Sequence, residues 1–303
     1  MDLENIGEFG LINRIAKDIK VGRLGVVKGI GDDTAVLSWT RNNYLLATTD
    51  MLIEDVHFRR TAPPTRIGWK AICCGISDIA AMGGIPKWAL ISCGLPRDLG
   101  VKYADRIYSG IKKAAKDFGI SIIGGDTNSS KKIILDVTLL GEVKKKNLVL
   151  RNGAECGDFI FVTGFLGGSI YGKHLNFTPR LKEAQALVTN FKINSMIDLS
   201  DGLASDLLHI LKQSGMGAIV YKELIPKSKE AKSIENAFSD GEDFELLFTM
   251  SKKESFRLLD LKERLFNIPI TRIGTVINKK FGVKIVDIFG RTQELKAEGF
   301  RHF

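Results

Sequence analysis

The sequence has little that would suit it to an oxidising compartment or a membrane. Its four cysteines, Cys73, Cys74, Cys93 and Cys156, form no CxxC pair, and three of them sit inside apolar stretches. That pattern argues against a disulfide framework or a zinc site and reads as buried free thiols. Long hydrophobic runs are missing as well. Ile133–Leu135 and Val137–Leu140 are interrupted by charge and far shorter than the roughly 20 residues a membrane helix needs. The opening residues, Met1-Asp2-Leu3-Glu4, lack the basic-then-apolar order of a secretory signal. A cytoplasmic protein without a membrane partner is expected. No tandem repeat is visible, and neither common nucleotide loop is present in working form. Residues 167–174 nearly match GxxxxGK[ST], but the last position is His174, which has no hydroxyl to offer a metal ion. No GxGxxG follows a strand either, so a bound nucleotide would be held without a standard phosphate loop.

What is present is an ordinary globular composition. The 303 residues are 44% hydrophobic and 26% charged, enough for a sizeable core in two domains or one large one. Lys and Arg number 44 against 35 acidic residues, a formal charge of +9. Such a field steers anions, nucleotides as readily as nucleic acid. The compact basic clusters, Lys131-Lys132 and Lys144-Lys145-Lys146, carry no interleaved aromatics, so they read as solvated turns and no nucleic-acid partner is expected.

Strand-like runs at Tyr44–Thr48, Trp88–Cys93, Ser121–Ile123, Ile133–Val143, Phe159–Thr163, Ser195–Ile197, Ala218–Tyr221, Phe244–Met250 and Ile270–Val276 alternate with helical patterns. The helical patterns cover Arg66–Met82, Lys102–Phe118, Arg180–Val188 and Ser200–Lys212, the last with Leu203, Leu207 and Leu211 on one face and Asp206 turned away. The expected class is mixed α/β. A division falls within residues 144–152, giving a first domain of residues 1–146 and a second of 147–303.

The placement of the aspartates is the informative feature. Asp32 and Asp33 lie in a glycine-marked turn, Thr48-Thr49-Asp50 closes a predicted strand, and Asp78 lies on a helix. Gly124-Gly125-Asp126-Thr127 ends the strand at Ser121–Ile123, and Asp198-Leu199-Ser200-Asp201-Gly202 joins a strand to a helix. Each alone is an ordinary turn or helix cap. Together, at strand ends where α/β proteins bind ligands, they point to a site for Mg²⁺ and phosphate, because gathered carboxylates repel unless cations neutralise them.

These segments resemble the thiamine-monophosphate kinases of the aminoimidazole-ribonucleotide-synthetase-like superfamily. The likeness runs in the same order along almost the whole chain, with Asp55-Val56-His57-Phe58, residues 77–83 (SDIAAMG), residues 241–246 (GEDFEL) and the terminal Gly299-Phe300-Arg301-His302-Phe303 as its most specific parts. The sequence departs from the family pattern at Asn128, at Phe244 where a tyrosine is frequent, and in a short lysine-rich stretch at residues 223–238. The resemblance implies a two-domain α/β fold whose N-terminal domain pairs in a homodimer, and ATP-dependent phosphorylation of thiamine monophosphate. It implies Asp33, Asp50, Asp78, Asp126, Asp198 and Asp201 as Mg²⁺ ligands, helped by Thr48 and Thr49. Gly125, Arg151, Ser200 and Tyr108 would contact ATP, and His57, Glu242 and Phe300 the thiamine monophosphate. No general base is implied. A ring-forming relative of the same superfamily, a nucleic-acid-binding protein and a non-catalytic nucleotide sensor remain as rival readings, separable by product and by metal dependence.

Overall fold

A computed structural model of the chain describes residues 3–19 and 24–295. Within them two sheets follow each other along the chain. The first is built from β1 (Val26–Lys28), β2 (Ala35–Ser38), β3 (Asn43–Ile53), β4 (Ile85–Leu95), β5 (Ser121–Ser129) and β6 (Ile134–Lys144), in the order β1-β2-β3-β6-β4-β5. The second holds β7 (Phe159–Thr163), β8 (Ser195–Asp198), β9 (Met216–Tyr221), β10 (Leu246–Met250), β11 (Ile270–Asn278), β12 (Val283–Val286) and β13 (Thr292–Glu294), ordered β13-β12-β9-β11-β7-β10-β8. The helices are α1 (Leu3–Asp18), α2 (Pro64–Ala81), α3 (Val101–Phe118), α4 (Leu181–Asn190), α5 (Leu203–Ser214), α6 (Ile234–Ser239) and α7 (Lys252–Leu265).

Among the ladders of the described residues, β4 with β5 and β9 with β12 pair in parallel and the rest are antiparallel. That revises the expected location of the site. In a mostly antiparallel sheet one face meets the core and the other can meet solvent, and β6 reads buried and half-buried in strict alternation. Its inward residues Leu135, Val137 and Leu139 join Leu46, Ala89 and Ile91 in a core against α2 and α3. Thr48-Thr49-Asp50 therefore do not close a strand but sit within the eleven residues of β3, and Gly125-Asp126 lie inside β5 rather than after it.

The second sheet is covered on both faces, which is why β7 and β10 are buried along their whole length. Side chains of β7 alternate: Ile160 and Val162 pack with α5 and α6, while Phe159 and Phe161 face α4 and α7. Phe161 stacks on Phe248 of β10 with centroids 5.4 Å apart.

Helix α2 joins the two halves. Pro64 starts it, at a position where a missing N–H costs nothing, and Gly83 stops it with φ 71. It is buried nearly all round. Ile67, Ile72 and Ile76 belong to the first core, whereas Ala80 and Ala81 belong to the second sheet's. It crosses α3 at very short range, since a Cβ on Gly68 would stand 2.0 Å from the Ile107 carbonyl oxygen and one on Gly110 would stand 1.9 Å from that of Thr65. Any side chain at either glycine would push the helices apart.

Candidate functional site

A cleft of about 1720 Å³ opens between the two halves. Its walls come from residues 30–33, β3, α2, Arg151, residues 198–201, α5 and the loop 239–244. Of the fifteen residues expected at a site, eleven line it. Asp33, Thr48, Thr49, Asp50, Asp78 and Arg151 come from the first half or its exit, His57 from the turn after β3, and Asp198, Ser200, Asp201 and Glu242 from the second half.

At one end Asp33, Asp78 and Asp198 each bring a carboxylate oxygen within 4.8 Å of the others. Neighbouring side chains set their positions. The Arg151 guanidinium donates to Asp33 Oδ1 at 2.6 Å, the Thr48 hydroxyl to Asp78 Oδ2 at 2.5 Å, and the Ser77 hydroxyl to Asp198 Oδ2 at 2.6 Å. Burial disfavours ionisation of all three. It pushes Asp33 up to about 7, opposed by Arg151 and reinforced by Asp198, and holds Asp78 well above the usual carboxylate range. Asp198 is raised to about 6 by burial, against the Ser77 hydrogen bond, and Asp50 to about 6 by burial and repulsion from Asp136. Asp33 Oδ2 and Asp50 Oδ2 are buried without a hydrogen-bond partner among the described residues. Orphaned acceptor oxygens beside crowded carboxylates are what a hard divalent cation satisfies, so this donor set fits Mg²⁺.

Strand alternation divides the Thr48-Thr49-Asp50 triplet. Thr48 reaches Asp78 on the core side, while the Thr49 hydroxyl lies on the other face, donating to Asp136 at 2.9 Å and meeting Thr138 Oγ1 at 3.3 Å. Thr49 still borders the cleft, but that hydroxyl is committed elsewhere.

A second cluster was passed over in the sequence. Asp201, Asp206 and His209 also place ligand atoms within 4.8 Å of one another. Asp206, expected to face solvent, is only 1% exposed. Its Oδ2 accepts the backbone N–H groups of Asp201 and Gly202, both at 3.2 Å, which caps the start of α5 and fixes the turn carrying Ser200 and Asp201. The signal was available, because Asp206 is three residues after the buried Leu203 and so shares its side of the helix. Burial, with the positive charge of Arg151 next, pushes His209 down to about 4, leaving a neutral imidazole.

The far end of the cleft contains His57 and Glu242. His57 Nδ1 accepts the N–H of Ile53 at 3.0 Å. Glu242 has φ 62 and Phe244 φ 51, a left-handed backbone that non-glycine residues adopt only when held. The hold is visible: their N–H groups donate to the carbonyls of Ser200 at 2.7 Å and Leu199 at 2.8 Å, and Phe244 stacks on Phe177 with centroids 3.9 Å apart. Lys70, fully buried on α2, forms an ion pair with Glu242 and donates to the His57 carbonyl at 3.0 Å. Lys70, Cys74 and Asp78 recur every four residues along one side of α2. One helix face thus runs from the Glu242 end to the carboxylate cluster, about 12 Å at 1.5 Å per residue.

Tyr108, Gly125 and Asp126 do not line this cleft. Asp126 is exposed, accepting from Thr127 N at 2.8 Å and Asn128 Nδ2 at 2.7 Å. Gly125 has a separate structural reason to be glycine, since a Cβ there would lie 1.8 Å from the Ile91 carbonyl oxygen. The Tyr108 hydroxyl is 3.6 Å from Cys93 Sγ. Phe300 lies outside the described residues. The near-match to a phosphate loop has its amides occupied: Gly167 N–H donates to Asp243 at 2.7 Å and Gly168 N–H to Asp240 at 2.8 Å. His174 is buried, with Nδ1 2.9 Å from the Ser169 carbonyl oxygen. The loop fastens residues 239–244 and has no N–H at Gly167 or Gly168 to spare for phosphate.

Residues 31–143 match the model of the AIR synthase related protein N-terminal domain, and residues 157–286 match the C-terminal domain. The thiamine-monophosphate kinase of Aquifex aeolicus is 36% identical with full coverage of both chains, and that of Bacillus subtilis is 32% identical over 98% of this chain and 99% of the relative. Among solved structures, AaThiL complexed with AMPPCP and TMP superposes with a TM-score of 0.86 at 35% identity, covering 100% of this chain and 99% of that one. The thiamine-monophosphate kinase from Stenotrophomonas maltophilia gives 0.75 at 31% identity, covering 95% and 98%.

Proposed function

The chain belongs to the thiamine-monophosphate kinases of the AIR synthase related family, and on that premise we propose that the acidic cleft is where ATP and thiamine monophosphate meet. The reaction is phosphorylation of thiamine monophosphate by ATP, giving thiamine diphosphate and ADP. The observation that carries the assignment to this cleft is the crowding of Asp33, Asp78 and Asp198, with orphaned oxygens on Asp33 and Asp50, in an open cleft of a fold shared with AaThiL.

We assign Asp33, Asp50, Asp78, Asp198 and Asp201 as the residues that hold Mg²⁺, with Thr48 and Ser77 orienting two of them. When bound, Mg²⁺ neutralises phosphate charge and supports a developing negative charge on the transferred group. Ser200 and Arg151 face the ATP phosphates, and His57 and Glu242 the thiamine monophosphate. An acceptor phosphate is already ionised near neutral pH, so the transfer is read as in-line and without a protein base, with orientation as the main contribution of the side chains.

The position of Asp126, Gly125 and Tyr108 supports a homodimer. On the solvent face of the first sheet and its β5 edge, Met51, Leu90, Ile122 and Ile123 are 38–56% exposed, and every residue of the edge strand is exposed. Apolar, unpaired edges of that kind recruit partners, and a second copy would bring these three residues against a cleft. The division between domains is placed after Lys146, supported by the sheet boundary between β6 and β7. A cytoplasmic location is inferred from the ATP requirement and from Cys73, Cys74 and Cys93 being buried free thiols.

The test is a coupled assay with ATP, Mg²⁺ and thiamine monophosphate, products separated chromatographically, and free thiamine as control. Thiamine diphosphate and ADP in equal amounts, only with Mg²⁺, are expected. ATP binding without that product would reassign the acceptor.

A further inference from the structure

Lys70 has no explanation in packing. A lysine with no exposed surface, in a helix whose neighbours Ile67, Ala71 and Ile72 are equally buried, sits where a leucine or methionine would fill the space without desolvating a charge. What distinguishes it is its pair of partners: the carbonyl of His57, thirteen residues earlier, and the carboxylate of Glu242, 172 residues away in the other half of the chain. Both partners belong to the residues assigned to the acceptor end of the cleft.

We propose that Lys70 is the positioning residue for thiamine monophosphate: its buried ammonium fixes Glu242 and the His57 backbone in one arrangement before the acceptor arrives. The proposal rests on the reading that Glu242 and His57 face the acceptor. Glu242 is held at three points. Its backbone amide is tied to Ser200, its carboxylate Oε1 is held by Lys70, and the residue two further on is stacked against Phe177. A glutamate on a surface loop samples many rotamers, and this one is confined by a group that cannot itself move, since Lys70 is enclosed by the core. The ion pair is net neutral. Glu242 therefore offers the acceptor molecule an oriented hydrogen-bond acceptor through Oε2 rather than an uncompensated negative charge, which suits an amino group on a heteroaromatic ring better than a ring cation. Because the Glu242 amide also bonds Ser200, the same hold sets the acceptor end in register with the ATP-phosphate end.

The experiment compares steady-state kinetics of wild type, Lys70→Met, Lys70→Arg, Glu242→Gln and the Lys70→Met/Glu242→Gln double variant, each with its thermal midpoint. Lys70→Met is expected to raise KM for thiamine monophosphate about tenfold, the equivalent of one hydrogen bond to a charged group, with KM for ATP within about twofold. The double variant is expected to be no worse than the poorer single one, because both changes dissolve the same contact. Lys70→Arg keeps the charge and the fold but misplaces it, and should give a smaller rise in the same constant alone. Should the methionine variant fail to fold, the arginine variant decides. An unchanged acceptor KM in the Lys70 variants alongside a raised one in Glu242→Gln overturns the positioning role while leaving the acceptor site intact. An unchanged acceptor KM in Glu242→Gln removes the acceptor reading itself, and the proposal with it. A uniform fall in kcat with both KM values unchanged would reduce Lys70 to a structural residue.

Discussion

Ser77 on α2 donates its hydroxyl hydrogen to Asp198 at the end of β8, 2.6 Å away, and the next residue, Asp78, stands in the same carboxylate cluster. The two halves of the chain are therefore joined inside the site, one supplying the hydroxyl and the other the acid. Ser77→Ala leaves a buried Asp198 oxygen without its donor and should cost about 1.5 kcal/mol of stability. It should also raise the Mg²⁺ concentration needed for half-maximal turnover. Chemical denaturation and a Mg²⁺ titration measure the two effects, and a variant that loses stability with an unaltered Mg²⁺ requirement would separate Ser77 from the metal site.

Asp201→Asn should depress turnover far more than it weakens folding, because it removes the charge of a proposed Mg²⁺ ligand while keeping side-chain shape. A drop of at least about a hundredfold in kcat, with a thermal midpoint close to wild type, is expected for a group that acts mainly by electrostatics. Wild-type activity in this variant would sink the metal assignment.

Asp206→Ala removes the acceptor for two backbone N–H groups at the head of α5. A loss of about 1–3 kcal/mol follows from leaving those two donors without an acceptor, and Asp201 should lose its fixed position with it. The midpoint should fall and the Mg²⁺ requirement rise together. If only the midpoint moves, Asp206 is a cap and nothing more.

Stability should depend on pH in a direction set by the cluster. Asp33 is raised to about 7 and Asp50 and Asp198 to about 6. A carboxylate whose pKa is raised on folding stabilises the fold fully below its unfolded value, near 4, and that contribution is lost as pH climbs through the folded value. In chelator the cluster thus favours the fold at pH 5 and opposes it at pH 8. Mg²⁺ binds the ionised form, so the rise in thermal midpoint on adding it should be larger at pH 8 than at pH 5. Equal rises at both pH values would mean that these carboxylates do not titrate with metal.

The exposed face of the first sheet should be an interface. Ile123→Glu places a charge on an edge residue that is 56% exposed in the single chain. It should shift the protein to monomer in sedimentation without lowering its midpoint, and remove activity in step with the loss of dimer. A monomeric variant with full activity would show that each chain contains a complete site.

Much of the fold was legible because apolar runs announce themselves. Residues 159–163 read as a strand and are one, since five apolar or β-branched residues between Asp158 and Gly164 leave little else. The site's own strands were cut short for the opposite reason. Thr49 and Asp50 break the apolar pattern of β3, and β5 is exposed throughout, so polar residues inside a strand read as its end. Helix α7 was not expected at all. Its buried side is narrow, and its start depends on Ser251 accepting from the Glu254 N–H.

The carboxylates were picked out by position in the chain as one set, but their division into two clusters was not. Nothing in periodicity says that Thr48 and Thr49 serve different faces until the pairing of β3 with β6 is known. Lys70 and Asp206 were passed over because a charge on a helix is ordinarily solvated. Both helices are buried on more than one side, and burial of that extent depends on the second sheet, which helical periodicity does not encode.

Helix α2 carries the Lys70 end of the cleft and the Asp78 end on one rigid rod, and this makes its length a fixed dimension of the molecule. A single codon inserted between them would swing Asp78 by about 100° and slide it 1.5 Å, withdrawing it from Asp33 and Asp198 while leaving α2 as helical as before. Its apolar side chains are open to exchange for others of like volume, yet the count of residues from 70 to 78 is not open to change. Natural variation in chain length should collect instead in segments such as 223–238, where an added turn displaces nothing that reacts.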